Sequence, residues 1–80
     1  DSEAEMIEAE VLNNSPMAGK LIRDIEFPEG VMVGAVRKAE STTIPNGDTL
    51  LEAGNSLVLF ALKEDVPTVD RLLQAPIEFF

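Results

Sequence analysis

The side chains in this sequence that could do chemistry are carboxylates and a few basic groups. The 80 residues contain fifteen Asp and Glu against six Lys and Arg, with no His and no Cys. The usual general base near neutral pH, the commonest zinc ligand and the thiolate nucleophile are therefore all missing. Ser and Thr hydroxyls have no imidazole to activate them. The composition predicts a protein that is not an enzyme, with neither catalytic residues nor a metal site.

Two local patterns could still bind something. Glu8 and Glu10 alternate along a predicted strand and share one face, where carboxylates could assist acid–base chemistry or hold a hard cation. We favour the simpler interpretation of a solvated strand face. Arg37 and Lys38 form the only adjacent basic pair in the sequence. This pair is either the solvated end of a hairpin or an anion contact at the rim of a pocket or a partner interface.

The charge and hydropathy patterns restrict the partners. A formal net charge of −9 repels phosphate backbones, so nucleic-acid binding is not expected. The longest apolar run, around residues 57–62, is far shorter than the ~20 residues that span a bilayer. The first residues are acidic where a signal peptide is basic, and no Met begins the chain. We therefore expect a cytoplasmic domain that is a piece of a longer protein.

The periodicity predicts an α+β domain in the order β-α-β-β-β-α. Residues 1–5 are predicted to be an acidic linker or frayed end, and residues 6–80 the domain. Clean alternation predicts a strand over residues 6–12, and residues 56–62 form the strongest strand. Apolar residues at helical spacing after Ser15-Pro16 predict a first helix to about Ile25. A second helix is expected to begin near Glu64 and to end at Ala75-Pro76.

Residues 31–36 form an uninterrupted apolar strand, which is typical of a strand covered on both faces. Because an 80-residue chain buries a limited core, one cover is expected from another subunit. Gly34 inside this strand indicates a bulge or a close backbone approach. The predicted dimer interface consists of Val31, Met32, Val33, Gly34 and Val36.

Several turns and one terminal pair complete the prediction. Residues 45–48 and 52–55 are predicted to be turns, in which Gly47 and Gly54 would adopt positive φ. Phe79-Phe80 is expected to be a loose end or a docking element for a neighbour.

Three segments resemble the TrkA C-terminal domain family, also called the RCK C-terminal lobe. Residues 44–59, IPNGDTLLEAGNSLVL, are similar to its IPxGDTxLExGDxLxV signature. Residues 15–25, SPMAGKLIRDI, resemble the family's SPLVGKTLREL helix, and residues 31–38, VMVGAVRK, resemble its VLVVAIRR strand. The last residues are similar to the C-terminal end of bacterial members. The sequence departs at Asn55, where the family usually has Asp, and at Thr42-Thr43, where larger aliphatic residues are common.

The resemblance implies a regulatory role. TrkA-like proteins are cytoplasmic subunits that assemble as rings on membrane potassium transporters, with C-terminal lobes that dimerise. Their Rossmann-type domains bind NAD(H) or adenine nucleotides. The glycine fingerprint of that site is absent here, so NAD or an adenine nucleotide would bind a separate domain and this segment would hold no cofactor. In some relatives a cyclic dinucleotide binds between two lobes, partly through the strand that matches residues 31–37.

Two functional hypotheses follow from the resemblance and the residues. In the first, the lobe senses a ligand through Arg37, Lys38, Val31 and Val33. Strand alternation allows at most one of Arg37 and Lys38 to face the cleft, and Arg37 is preferred because it matches the family's basic position after the apolar strand. In the second, which the negative charge favours, the lobe is a structural dimerisation module. The expected partners are a second copy, the rest of a TrkA-type chain and a membrane potassium transporter at the inner face of the plasma membrane. An anion permease or a cation/proton antiporter is an alternative transporter.

Overall fold

The computed structural model describes residues 3–73. The strands are β1 (Ala4–Glu10), β2 (Lys20–Leu21), β3 (Val31–Lys38), β4 (Ser41–Thr43), β5 (Leu50–Leu51) and β6 (Ser56–Leu62). Short 3-10 helices lie at Ile22–Asp24 and Lys63–Asp65, and the α-helix α1 spans Val66–Leu73. The predicted α+β class is confirmed.

Four of the strands form one antiparallel sheet in the order β1-β6-β3-β4. The central strand β6 is the segment with the strongest strand pattern, and it pairs with β1 on one side and β3 on the other. β3 and β4 form the predicted hairpin, which turns at residues 39–40. The short strands β2 and β5 pair separately as a two-stranded antiparallel sheet.

One face of the large sheet, here called the inner face, packs against the hydrophobic core. Alternate residues of β6 at positions 57, 59 and 61 are at most 1% exposed. They join buried residues from β3, β5, α1 and the loops in a single cluster: Val11, Met17, Ile25, Val36, Leu51, Leu57, Leu59, Ala61, Val69 and Leu73. The core therefore lies on one side of the sheet, with α1 and the β2–β5 pair among the elements that cover it.

The helix predicted after Ser15-Pro16 is wrong. This segment forms a turn, β2 and a 3-10 helix. Gly19 has a φ of +83°, outside the helical region, and its N–H donates to the Leu51 carbonyl at 2.7 Å. The Ile22 N–H likewise donates to the Thr49 carbonyl at 2.9 Å. Tertiary pairing with the segment around β5 thus takes the backbone groups that a helix would have used internally.

Ser15, at the start of the predicted helix, caps a turn instead. The Met17 N–H donates to Ser15 Oγ at 3.1 Å, and the same hydroxyl donates to the Leu72 carbonyl at 2.9 Å. Ser15 is 6% exposed, so this buried hydroxyl links the loop to the last turn of α1. The loop then places Met17, which is fully buried, in the core.

Several boundaries differ from the prediction. β1 begins at Ala4, so residues 4 and 5, predicted to belong to a linker or frayed end, are instead paired with Leu62 and Ala61 of β6. Gly54 has the predicted positive φ, at +92°, whereas Gly47 does not, and that prediction was wrong.

The second helix is confirmed as α1, which follows Glu64 and Asp65 directly and has Pro67 in its first turn. Its predicted end at Ala75-Pro76 and the proposed docking pair Phe79-Phe80 lie outside the described residues.

Candidate functional site

The other face of the four-stranded sheet, here called the outer face, lies opposite the core. The strand registers and alternation assign to it every second residue of the three longer strands, with a contribution from β4. The outer face consists of Ala4, Met6, Glu8 and Glu10 from β1; Ser56, Val58, Phe60 and Leu62 from β6; Met32, Ala35 and Arg37 from β3; and Thr42 from β4. Glu8 and Glu10 of one candidate charged pattern and Arg37 of the other therefore lie on one surface.

One end of the outer face is polar. Glu10 is paired with Ser56, Ser56 with Arg37, and Arg37 with Thr42, so these four residues form one row across the sheet. Neighbouring strands lie about 4.8 Å apart, which puts Glu10 and Arg37 about 10 Å apart in backbone position. An open depression of about 480 Å³ covers this row and the adjacent Val58.

The opposite end of the outer face is apolar. Met6, Phe60 and Met32 are paired in a second row across β1, β6 and β3. Their side chains are exposed to 61%, 39% and 61% respectively. Met32 and Phe60 also line a second depression, which includes Ala4. This apolar row has no cover from residues 3–73, although large apolar side chains are usually buried.

A bulge in β3 determines which of its side chains reach each face. The register with β6 shifts between Val33 and Ala35, so that Gly34 is the extra residue. A Cβ on Gly34 would lie 2.6 Å from the Phe60 ring. The prediction that Gly34 marks a bulge is confirmed. Because the bulge resets the alternation, Ala35 and Arg37 lie on the same face as Met32.

The predicted site residues of β3 lie on both faces of the sheet because of this bulge. Val31 and Val33 pack against the core cluster from the inner face, and Val36 is fully buried within it. Met32 and Arg37 lie on the outer face. Lys38 is paired with Ser41 at the hairpin end and alternates away from Arg37. The structure therefore does not bring Arg37 and Lys38 together, nor does it place Val31 and Val33 beside Arg37.

The two arginines that precede α1 differ in their partners. Arg23 forms an ion pair and a hydrogen bond with Asp48 in the loop before β5. Arg37 is exposed, and its guanidinium makes no ion pair or hydrogen bond within residues 3–73. It is therefore a cation available for a carboxylate or a phosphate, which its planar group can grip with two hydrogen bonds.

Sequence reasoning missed the contribution of β6 to the outer face. Ser56, Val58 and Phe60 alternate with the three buried residues of the same strand. That alternation is visible in the sequence once the buried set is assigned. Glu8 and Glu10, interpreted as a solvated strand face, are both exposed and line the same depression as Arg37.

Other kinds of site were sought in the described part of the chain. Residues 3–73 contain no group of three or more Asp and Glu side chains placed to hold a metal ion. None of the helices there has the length and apolar character needed to cross a bilayer. The outer face is thus the surface on which the candidate residues converge.

The fold matches that of a known domain class. A solved structure of an RCK domain with cda superposes with a TM-score of 0.74, covering 86% of this chain and 97% of that chain at 23% sequence identity. At this identity the likeness shows only that the two chains share a fold. That fold is the small α+β architecture described above.

Sequence comparison gives the family. Residues 6–74 match the model of the TrkA-C domain, and the chain belongs to the TrkA-C domain family. The resemblance predicted from residues 15–25, 31–38 and 44–59 is therefore confirmed.

Its relatives include proteins named for potassium uptake. The Trk system potassium uptake protein TrkA of Azorhizobium caulinodans is 42% identical over 80 residues, which are all of this chain and 18% of the relative. A TrkA homolog of Archaeoglobus fulgidus is 33% identical over 73 residues, covering 91% of this chain and 17% of the relative. TrkA of Halomonas elongata is 35% identical over 68 residues, covering 84% of this chain and 15% of the relative. The chain spans less than a fifth of the length of these relatives.

Proposed function

We propose that this domain is a non-catalytic regulatory lobe of a Trk-type potassium uptake protein. The observation that carries the proposal is the TrkA-C match over residues 6–74, together with relatives that are named as potassium uptake proteins. These names favour a potassium transporter as the membrane partner over an anion permease or an antiporter. The lobe would then act in the cytoplasm, at the inner face of the plasma membrane.

A lobe of this kind needs a surface through which it passes on a conformational change. The outer face supports that role, since it presents an apolar row on an antiparallel sheet that residues 3–73 do not cover. We propose that two lobes associate and that a change elsewhere in the full-length protein alters how they meet. The lobe would contribute dimerisation and transmission of the change, with no bond made or broken in it.

The residue inventory supports a role without catalysis. The chain has no His or Cys, and the described hydroxyls of Ser15 and Thr43 donate to backbone carbonyls. Ser15, the buried hydroxyl, is engaged with backbone groups of Met17 and Leu72. A hydroxyl held between two backbone partners is suited to structure and poorly suited to attack on a substrate.

A second candidate function is ligand sensing, and the position of Arg37 favours it. The exposed guanidinium borders the depression together with the hydroxyl residues Ser56 and Thr42, which could also contact an anion. A related RCK domain has been solved with cda. Glu8 and Glu10 line the same depression and oppose an anionic ligand. A nucleotide would therefore bind weakly and in a salt-sensitive manner, with Arg37 as its main contact.

The regulatory proposal is tested by transplanting the chain. The matching segment of the Azorhizobium caulinodans relative is replaced by these 80 residues, and the chimera is expressed in a bacterium that lacks its own TrkA. We expect the chimera to restore growth and rubidium uptake at limiting potassium. A chimera that accumulates to the normal level but restores neither would contradict the proposal.

The ligand-sensing candidate is tested by titration calorimetry of the purified chain with adenine nucleotides and cyclic dinucleotides. Wild type is compared with Arg37→Ala and with the matched control Arg23→Ala, which removes an arginine from outside the outer face. Binding that is lost only in Arg37→Ala supports ligand sensing. Absence of binding to every nucleotide tested leaves the structural dimerisation module as the function.

A further inference from the structure

We propose that Asn46 is a site of spontaneous covalent modification, at which the backbone nitrogen of Gly47 attacks the side-chain amide and expels ammonia. The site lies in the turn between β4 and β5, outside the four-stranded sheet. Asn46 is the only asparagine in the sequence that a glycine follows. The inference goes beyond the regulatory role and depends on no partner, ligand or transporter.

The reaction needs only the chain and water. The Gly47 nitrogen gives up its proton to solvent and forms a bond to Cγ of Asn46. The bond from Cγ to the side-chain nitrogen then breaks, and that nitrogen takes up a proton and leaves as ammonia. Water opens the resulting cyclic imide. Opening at Cγ gives an aspartyl residue, whereas opening at the backbone carbonyl gives an isoaspartyl residue, in which the main chain runs through Cβ and Cγ. Either product adds a negative charge.

The attacking nitrogen is free and unhindered. The Gly47 N–H donates to no group among residues 3–73. Gly47 is exposed and has no Cβ to obstruct the approach to its own nitrogen. Asn46 and Gly47 both border an open depression of about 270 Å³, so water has access to the reacting groups.

The turn holds the side-chain amide beside that nitrogen. Asn46 Oδ1 accepts a hydrogen bond from the Asp48 N–H at 2.8 Å. The ring that this hydrogen bond closes contains both Cγ of Asn46 and the Gly47 nitrogen, which keeps the two reacting atoms close together. The Asp48 N–H also lies on the oxygen that becomes negative when Cγ is attacked, so it stabilises the tetrahedral intermediate as an oxyanion donor does.

The other three asparagines each lack part of this arrangement. Asn13 and Asn14 are exposed, but the residues that follow them, Asn and Ser, have side chains that hinder attack. Asn55 is 8% exposed, and its Oδ1 accepts from the Glu52 N–H at 2.9 Å. That donor precedes Asn55 in the chain, so the ring it closes does not contain the nitrogen of Ser56. These three residues are internal controls in the same molecule.

The two products affect the fold differently. The Gly47 carbonyl accepts from the Arg23 N–H at 3.0 Å, which fastens the turn to the 3-10 helix at Ile22–Asp24. The aspartyl product keeps the backbone and an oxygen for the Asp48 N–H. The isoaspartyl product lengthens the backbone between residues 46 and 47 by a methylene group and displaces this carbonyl from Arg23. It should therefore loosen the β2–β5 pair, whose strand β5 directly follows the turn.

The site is tested by peptide mapping of the 80-residue chain after incubation in neutral buffer at physiological temperature. Trypsin releases residues 39–63, which contain Asn46 and Asn55, and residues 1–20, which contain Asn13 and Asn14. We expect the acid to form at Asn46 at least about 10-fold faster than at any other asparagine. Labelling by an isoaspartyl methyltransferase should identify the rearranged product in residues 39–63. A smaller ratio of rates would overturn the proposal.

The role of the glycine is tested by Gly47→Ala, whose Cβ would lie 3.2 Å from Cβ of Arg23. The added methyl group should lower the rate at Asn46 at least about 10-fold. The matched control, Ser41→Ala, changes an exposed residue of β4 within the same tryptic peptide and should leave the rate unchanged. Circular dichroism verifies that both variants are folded. A Gly47→Ala variant as fast as wild type would mean that the backbone nitrogen is not the attacking group.

The contribution of the fold is measured against a synthetic peptide of residues 39–63, which lacks the rest of the domain. We expect Asn46 in the folded chain to react at least about one third as fast as in the peptide, because the turn already holds the reacting atoms together. A slower reaction in the folded chain would show that the turn shields Asn46, and it would overturn the inference.

The structural consequence is tested by amide hydrogen exchange at the Arg23 N–H. Its protection should fall in proportion to the isoaspartyl fraction of the incubated chain, because the Gly47 carbonyl no longer accepts from it. The matched control, Asn46→Asp, has the backbone of the direct product and should keep wild-type protection. Protection that is lost in both samples, or in neither, would contradict the effect assigned to the isoaspartyl product.

Discussion

The two faces of the four-stranded sheet are made from the same strands, but one face packs in the core and the other is exposed. On the inner face the side chains of β6 are at most 1% exposed, and the described core residues join them in one cluster. On the outer face the same strand presents Ser56, Val58 and Phe60, with carboxylates on one side and an arginine on the other. The contrast shows that strand alternation separates the residues that fold this domain from those available to a partner.

The largest difference between the faces is expected from adjacent residues of β6. Leu59→Ala removes a fully buried side chain and should reduce the free energy of unfolding by about 2–4 kcal/mol, through lost burial and the cavity left behind. Phe60→Ala, which changes a larger side chain that is 39% exposed, should cost about 1 kcal/mol. Urea unfolding at one protein concentration gives both values. Equal losses would contradict the division between the faces.

A smaller effect is expected from a buried hydroxyl. Ser15→Ala leaves the Met17 N–H and the Leu72 carbonyl without their partner, and should cost about 1–2 kcal/mol in the free energy of unfolding. The matched control, Ser56→Ala, removes an exposed hydroxyl from the outer face and should change the free energy by less than about 0.5 kcal/mol. Urea unfolding measures both. A Ser15→Ala variant as stable as the control would show that the hydroxyl does not fasten the loop to α1.

Most of the sheet could be predicted from the sequence because its strands carry local signals. β1 alternates between Glu and apolar residues over residues 7–10, and β6 is a mostly apolar run of seven residues, so both were placed within a few residues. The outer face could be predicted only in part. Glu8, Glu10 and Arg37 were recognised singly, but their meeting depends on the order β1-β6-β3, which is a long-range property.

Two glycines explain features of the fold that no local pattern predicts. In residues 15–25 the apolar spacing suited a helix, but Gly19 at positive φ let the chain turn and pair with β5. In β3, the bulge at Gly34 was predicted, but the apolar sequence does not show that the extra residue resets the alternation and divides the strand between two faces. Neither the tertiary pairing nor the bulge register is encoded in a local pattern.

The bulge gives the next prediction. Gly34→Ala places a methyl group against the Phe60 ring, which is the movable end of an exposed side chain, so the variant should lose only about 1 kcal/mol of unfolding free energy. The loss should be smaller when Gly34→Ala is introduced into a Phe60→Ala background. A double-mutant cycle by urea unfolding provides the measurement. Full additivity would mean that the ring does not restrict Gly34.

The smallest effects on stability are expected from substituting Arg23 and Arg37. Arg37 lies on the outer face and Arg23 does not, so the two variants compare the faces directly. Arg23 pairs with Asp48 through side chains that are 60% and 74% exposed, so Arg23→Ala should cost no more than about 0.5 kcal/mol and should behave alike at every protein concentration. The Arg37 side chain has no ion pair or hydrogen bond within residues 3–73, and Arg37→Ala should leave the dilute chain as stable as wild type. If the outer face joins two copies, thermal unfolding of Arg37→Ala should fall below wild type only as the concentration rises, because binding stabilises the folded state by mass action. A loss of stability that is the same at all concentrations would place Arg37 among the residues that fold the domain and not among those that join it to a partner.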